Sequence, residues 1–132
     1  FMPWSGYQNY LLAKSLGFKE LEWQRAGHIE DYDSIDLLGW GTVSNALKNA
    51  KFSFGRATDI ASRLIREGRV SRKEILPLVE KTDGNLDKKS LSFFLNFCGY
   101  TEDEFFRVLD CFYNQTLWRK VNGEWTKIFP IK

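Results

Sequence analysis

The sequence predicts a mainly α fold: a small helical domain of five or six helices with a C-terminal β-hairpin. Three observations carry that prediction. Ser71-Arg72-Lys73-Glu74 and Thr101-Glu102-Asp103-Glu104 are both capping boxes followed by apolar residues at helical spacing. From 56 to 67, Ile60, Ala61, Leu64 and Ile65 share one side at about 100° per residue, while Arg56, Asp59, Arg63 and Arg66 share another. Near the end, Asn122-Gly123 is a type I′ turn signal between 117–121 and 124–128, with Trp118 and Trp125 in the two arms.

The remaining elements follow in chain order. Ser5 is a suitable N-cap, and Tyr7, Tyr10, Leu11 and Leu12 recur with helical spacing until Gly17, which predicts an amphipathic helix over 6–16. A short extended piece is expected at 21–23. Residues 25–36 carry Glu30, Asp31, Asp33 and Asp36 without a clean period, an acidic loop that either binds a cation or is solvated and caps the next helix through Asp33 or Asp36. A helix weakened by Gly39 and Gly41 spans 37–50, and Gly68 is placed to end the helix that begins at Arg56. The first capping box opens a helix through Lys81, bent or loosened at Pro77. Asp83-Gly84 marks a turn, Asp87 caps a helix through Cys98 that Gly99 ends, and the second box opens a helix bearing Phe105, Val108, Leu109 and Phe112.

Composition narrows the functional classes. A chain of 132 residues with 43% hydrophobic and 16% aromatic residues is neither disordered nor of low complexity, and can bury a core without a staple. Lys plus Arg number 19 against 17 Asp plus Glu, so no global field draws nucleic acid or an anionic membrane, and any basic function must be local. Cys98 and Cys111 lie in apolar helical stretches and are read as reduced core residues. One histidine, His28, with no Cys-x-x-Cys or His-x-x-x-His spacing, leaves no zinc set and little for a catalytic triad, so no metal site is expected. No apolar run reaches 18 residues and no cationic leader precedes one, so neither a membrane span nor a signal peptide is expected. The chain opens on Phe1 with Met2 second, which suggests a piece of a longer protein.

The densest cations are Lys48, Lys51, Arg56, Arg63, Arg66, Arg69 and Arg72, among which Asp59 and Glu67 are the only carboxylates. Arginine forks match phosphate oxygens, and a helix starting near Arg56 adds its amide dipoles, which reads as a phosphate or pyrophosphate subsite. The competing reading is an exposed cationic face with intrahelical pairs such as Arg63 with Glu67. Asp59 would orient a guanidinium fork rather than touch ligand. The aromatics Trp4, Tyr7, Trp23, Trp40, Phe52 and Phe54 suit either stacking on a base or sugar, or core and interface packing, the commoner role of large aromatics. Neither a G-x-x-x-x-G-K-[ST] nor a G-x-G-x-x-G loop is present.

The segment Ile35-Asp36, then Lys48, then Lys51-Phe52-Ser53-Phe54-Gly55-Arg56-Ala57-Thr58-Asp59-Ile60-Ala61-Ser62-Arg63, and next Ile65-Arg66-Glu67-Gly68-Arg69-Val70-Ser71-Arg72-Lys73-Glu74, resembles the C-terminal part of the N-acetyl sugar amidotransferases of lipopolysaccharide and nonulosonic acid biosynthesis. The likeness continues through Asp83-Gly84, Gly99-Tyr100-Thr101 and Glu104-Phe105 to the Trp125 hairpin. The resemblance implies a cytoplasmic bacterial enzyme of the PP-loop ATP pyrophosphatase superfamily. Such enzymes activate an amide oxygen with ATP, and ammonia displaces AMP to turn an acetamido sugar into an acetamidino sugar. It also implies ATP and Mg in the full-length enzyme, and a glutaminase and synthase pair, similar to the subunits of imidazole glycerol phosphate synthase, that supplies ammonia. The ATP-site signature Ser-Gly-Gly-x-Asp-Ser is absent here, so residues 1–132 are expected to be one C-terminal helical domain that binds no ATP alone and needs an N-terminal α/β domain. Nucleic acid is not an expected partner. The residues expected to contribute to the substrate or phosphate site are Lys48, Lys51, Arg56, Asp59 and Arg63, with Asp36 and Arg66 behind them; the catalytic residues are not identified. A non-catalytic docking module for the ammonia supplier is the alternative.

Overall fold

The computed structural model describes residues 4–35 and 39–129. Among them the chain forms α1 (Gly6–Ser15), α2 (Trp40–Phe52), α3 (Arg56–Arg66), α4 (Arg72–Thr82), α5 (Lys88–Cys98) and α6 (Glu102–Phe112), then the antiparallel strands β1 (Trp118–Val121) and β2 (Glu124–Lys127). The expected mainly α architecture with a terminal hairpin is what the chain adopts. In the hairpin Trp118 pairs with Lys127 and Val121 with Glu124. Asn122 and Gly123 both take positive φ, 51° and 88°, as a type I′ turn demands.

Two apolar clusters hold the helices. Val43 of α2, Leu91 of α5 and Phe105 of α6 meet in one, flanked by Leu47, Phe94 and Leu109. Ala61 of α3 with Ile75 and Val79 of α4 form the other, closed by Ile29, Leu64 and Val70. The helix ends follow the capping logic closely. At α4 Ser71 Oγ accepts from the Glu74 amide while Glu74 accepts from the Ser71 amide at 2.9 Å, and Thr101 with Glu104 repeats the exchange at α6. Asp87 accepts from the Ser90 amide at 2.8 Å, and Ser5 from the Gln8 amide at 3.3 Å. Helix α4 continues through Pro77 to Thr82.

Several expectations are corrected. Residues 21–23 form no strand; the Leu21 amide makes a single bond to the Asp31 carbonyl. Helix α1 buries no residue, and Leu11 and Leu12 are exposed, because the half-buried side is instead the one bearing Tyr7, Tyr10 and Ala13. Helix α2 runs on to Phe52 and ends on Ser53 in the left-handed region, and the first two positions expected for it, 37 and 38, lie outside the described residues. Both cysteines are free, as expected, but exposed rather than in the core, since α5 and α6 bury only Leu91 and Phe105. Likewise Trp4, Trp23, Trp40, Phe52 and Phe54 are exposed and take no place in the core.

Candidate ligand-binding site

Helix α3 places its apolar side, with Ala57 and Ile60 fully buried, against the fold. Its opposite side faces the loop over 25–35. There Arg56 makes a two-pronged bond to one carboxylate: Nε donates to Asp33 Oδ2 at 2.7 Å and Nη2 to Asp33 Oδ1 at 2.6 Å. Two turns on, Arg63 Nη2 donates to Glu30 Oε2 at 3.0 Å and lies 3.8 Å from Asp33 Oδ1, and Arg69 Nη1 lies 3.7 Å from Glu30 Oε1. The Tyr32 hydroxyl donates to Glu30. From within the loop, the buried Arg25 donates to the carbonyls of Asp33 and Ser34.

Within the described part of the acidic loop, Glu30 and Asp33 are therefore taken up by arginines, while Asp31 is exposed. Side chains of Glu30 and Asp33 are only 8% and 12% exposed, and three arginines neutralise them. Burial pushes the Asp33 carboxyl up, but the Arg56 hydrogen bonds and the charges of Arg56 and Arg63 outweigh it and hold the group below the usual carboxylate range. His28, 2% exposed, donates through Nδ1 to the Ala26 carbonyl at 3.1 Å, and burial lowers its imidazole from the ordinary value. Asp33 caps no helix, and the N-cap of α2 is Gly39, with no side-chain cap. Asp36 lies outside the described residues.

The structure brings Lys48, Arg56, Asp59 and Arg63 together along one strip. Lys48 donates to Asp59 at 2.5 Å and sits over the Phe54 ring, and Arg56 Nη1 lies 4.0 Å from the same carboxylate. Asp59 thus holds Lys48 foremost, while Asp33 is the residue that orients the Arg56 fork. Lys51 is exposed above Phe52 at the end of α2, and Arg66 is exposed in the last turn of α3, both apart from the network. Arg63 turns to the loop rather than to Glu67, whose carboxylate accepts from Ser5 Oγ at 3.2 Å.

Beside the network lies a cleft of about 300 Å³ between α1 and the loop, lined by Trp4, Asn9, Tyr10, Tyr32, Asp33 and Arg63 among others. Tyr10 and Tyr32 stack with ring centres 3.9 Å apart and planes 13° from parallel, and Trp4 stands 72% exposed at the mouth. Tyr10 is fixed in turn by Lys14, which donates to its hydroxyl at 2.8 Å, and by Glu20. An aromatic wall with a guanidinium, a carboxylate and an amide along one edge suits a polar ring such as a sugar or a base. Asn9, Tyr10 and Tyr32 were not selected by sequence pattern. The available signal was three tyrosines at 7, 10 and 32 around a loop rich in carboxylates, which gains meaning only once α1 and the loop are folded together.

The start of α3 is already filled. Asp83, from the turn after α4, accepts from the Gly55 amide at 2.7 Å and from Thr58 Oγ1 at 2.8 Å, placing a carboxylate where a phosphate would sit. The described residues also contain no group of three His, Cys, Asp or Glu side chains able to hold a metal ion. Among the described residues, this helix start and the Arg56 fork are both engaged by carboxylates, an arrangement that does not fit a magnesium-triphosphate cradle at α3.

A family model described as "LPS biosynthesis protein WbpG-like, C-terminal domain" matches residues 7–131, nearly the whole chain. No curated protein matches the sequence. Among the described residues no helix is long and apolar enough to cross a membrane.

Proposed function

Because the chain belongs to the WbpG-like family of LPS biosynthesis proteins and corresponds to its C-terminal domain, we propose that it is the C-terminal part of an ATP-dependent sugar amidotransferase. In this reading ATP and Mg are bound by an N-terminal α/β domain, an acetamido sugar is the substrate, and ammonia converts it to an acetamidino sugar. This domain contributes the sugar-facing edge. The observation that carries the reading is the cleft at Trp4, Tyr10 and Tyr32 beside the Arg56 and Arg63 network, in a chain of this family.

Arg63 has a place in the scheme that its ion pairs leave open. Its Nη2 is committed to Glu30, while the side chain, 21% exposed, lines the cleft. It would serve a hydroxyl or phosphate oxygen of the sugar, with the carboxylates fixing its plane. The test is AMP release by the full-length enzyme with an acetamido sugar and free ammonia. Arg63→Lys should raise the sugar KM about tenfold, the order of one lost charged hydrogen bond. A KM unchanged in a folded variant removes this edge from the substrate site.

A second reading is favoured by a different surface. Phe93 and Phe97 of α5 are 54% and 70% exposed, with the Trp40 ring 4.9 Å from that of Phe97. Such a ridge suits a protein partner, and in this reading it recruits the glutaminase and synthase pair that supplies ammonia. Phe97→Ser would then reduce the glutamine-dependent rate while sparing the rate with free ammonia. Equal loss of both rates, or of neither, counts against recruitment through this ridge.

A further inference from the structure

Helix α1 is held unlike the other five. It buries no residue, whereas each of α2 to α6 buries at least one. Its ring contacts lie on one side: the Arg69 guanidinium carbon is 3.5 Å from the centre of the Tyr7 ring, and Tyr10 stacks on Tyr32. On the opposite side Leu12 and Leu16, one turn apart, stand 63% and 81% exposed, with the exposed Leu11 at the margin.

A single exposed leucine is ordinary, but a face that combines leucines with an absence of charge is not. Lys14 is the one charged residue among the ten of α1, and it turns inward, donating to Glu20 at 2.7 Å and to the Tyr10 hydroxyl at 2.8 Å. The outer neighbours of the leucines are the exposed, uncharged Gln8 and Ser15. By contrast α4 and α6 each carry five charged residues in eleven. Leucines without charge give this face the composition of an interface centre rather than of a solvated surface.

The family match points to the occupant. The chain corresponds to a C-terminal domain, and the match begins at Tyr7, inside the first turn of α1. In this family an N-terminal domain therefore precedes α1 in the polypeptide, and units consecutive in a chain are usually neighbours in space. A tether at that point supplies a high effective concentration, so a modest apolar strip is enough to seat the domain. We infer that the outer face of α1, centred on Leu12 and Leu16, is the docking surface for the N-terminal domain of the same polypeptide. The same helix gives Asn9 and Tyr10 to the cleft beside Arg63, so a domain seated there lies about one helix diameter, roughly 10 Å, from that cleft. In the proposed reading this brings the nucleotide-bearing domain to the sugar edge. The docking itself rests on the family match and on α1, not on the reaction.

Hydroxyl-radical footprinting of the purified full-length protein, without substrate, tests the docking apart from activity. Leu12 and Leu16 should be labelled no faster than the buried Leu91. With Leu12→Lys and Leu16→Lys together, limited proteolysis should cut between the domains faster than in the unsubstituted protein. The 132-residue chain bearing the same pair should keep its urea midpoint, because neither leucine is buried in it. Fast labelling of Leu12 and Leu16 would overturn the inference, as would an unchanged rate of cleavage. Protection lost on dilution would assign the face to a second copy, and protection of Phe93 and Phe97 without α1 would seat the domain on the α5 ridge; either result overturns it. Footprinting of the unsubstituted protein decides the matter even where the variant fails to fold.

Discussion

The 25–35 loop with α3 and the α5–α6 pair differ in what they bury. In the first, Glu30 and Asp33 are withdrawn from water and matched by Arg56, Arg63 and Arg69, so polar groups are enclosed and paired. In the second, Phe93, Phe97, Phe106 and Phe112 are left at least 40% exposed while only Leu91 and Phe105 are buried. Buried charge must be satisfied within the chain, because an unpaired ion in the interior costs several kcal/mol. Exposed apolar surface carries no such internal demand, and a contiguous stretch of it marks a place for another surface. The basic face of α3 therefore has a structural duty before any functional one, whereas the aromatic ridge of α5 has little structural duty.

Substitutions should separate the two regions by size of effect. The largest loss is expected for Asp33→Ala, which strands the Arg56 fork and weakens the hold on Arg63: about 3 kcal/mol by chemical denaturation. A loss below that of an ordinary surface change would show that the loop is not clasped. Next comes Asp83→Ala, which removes the acceptor for Gly55 and Thr58 at the start of α3, with a cost of about 2 kcal/mol. Phe97→Ser should change stability by no more than about 0.5 kcal/mol by chemical denaturation. A large destabilisation there would move the ridge into the category of core.

Acid should unpick the clasped region in two stages. His28 has a folded value depressed below 6.5 and Asp33 one depressed below 3.8, so in both cases the unfolded chain binds more protons. Stability from His28 is fully present above pH 6.5 and is lost as pH falls from there through its folded value. That from Asp33 is present above pH 3.8 and is lost below it. Thermal unfolding against pH should show both declines, and His28→Gln should abolish the upper one alone. A single decline near pH 4 in both proteins would contradict the burial assigned to His28.

Local chemistry made the fold legible. The two capping boxes, Asp87, Gly99 and the Asn122-Gly123 turn act within three or four residues, and each element they announce is present. The site was legible only in outline, because its decisive pairings cross the chain. Arg56 finds Asp33 from 23 residues away and Gly55 finds Asp83 from 28, distances at which no spacing rule operates. Of the residues grouped by sequence, Lys48, Arg56, Asp59 and Arg63 converge while Lys51 and Arg66 stand apart, and sequence alone could not say that the carboxylates facing Arg56 and Arg63 come from the acidic loop. Exposure of the aromatics was hidden for a related reason: α5 carries more large apolar residues than its packing against α2 can cover.

The clasp between α3 and the loop is the central claim, and a double-mutant cycle on Asp33 and Arg56 tests it most directly. With Asp33→Ala, Arg56→Ala and the double variant compared by urea unfolding, the account predicts a coupling of at least about 1.5 kcal/mol, the double variant being much less unstable than the sum of the two single ones. Additivity within about 0.5 kcal/mol would contradict it and return Arg56 to the exposed cationic face.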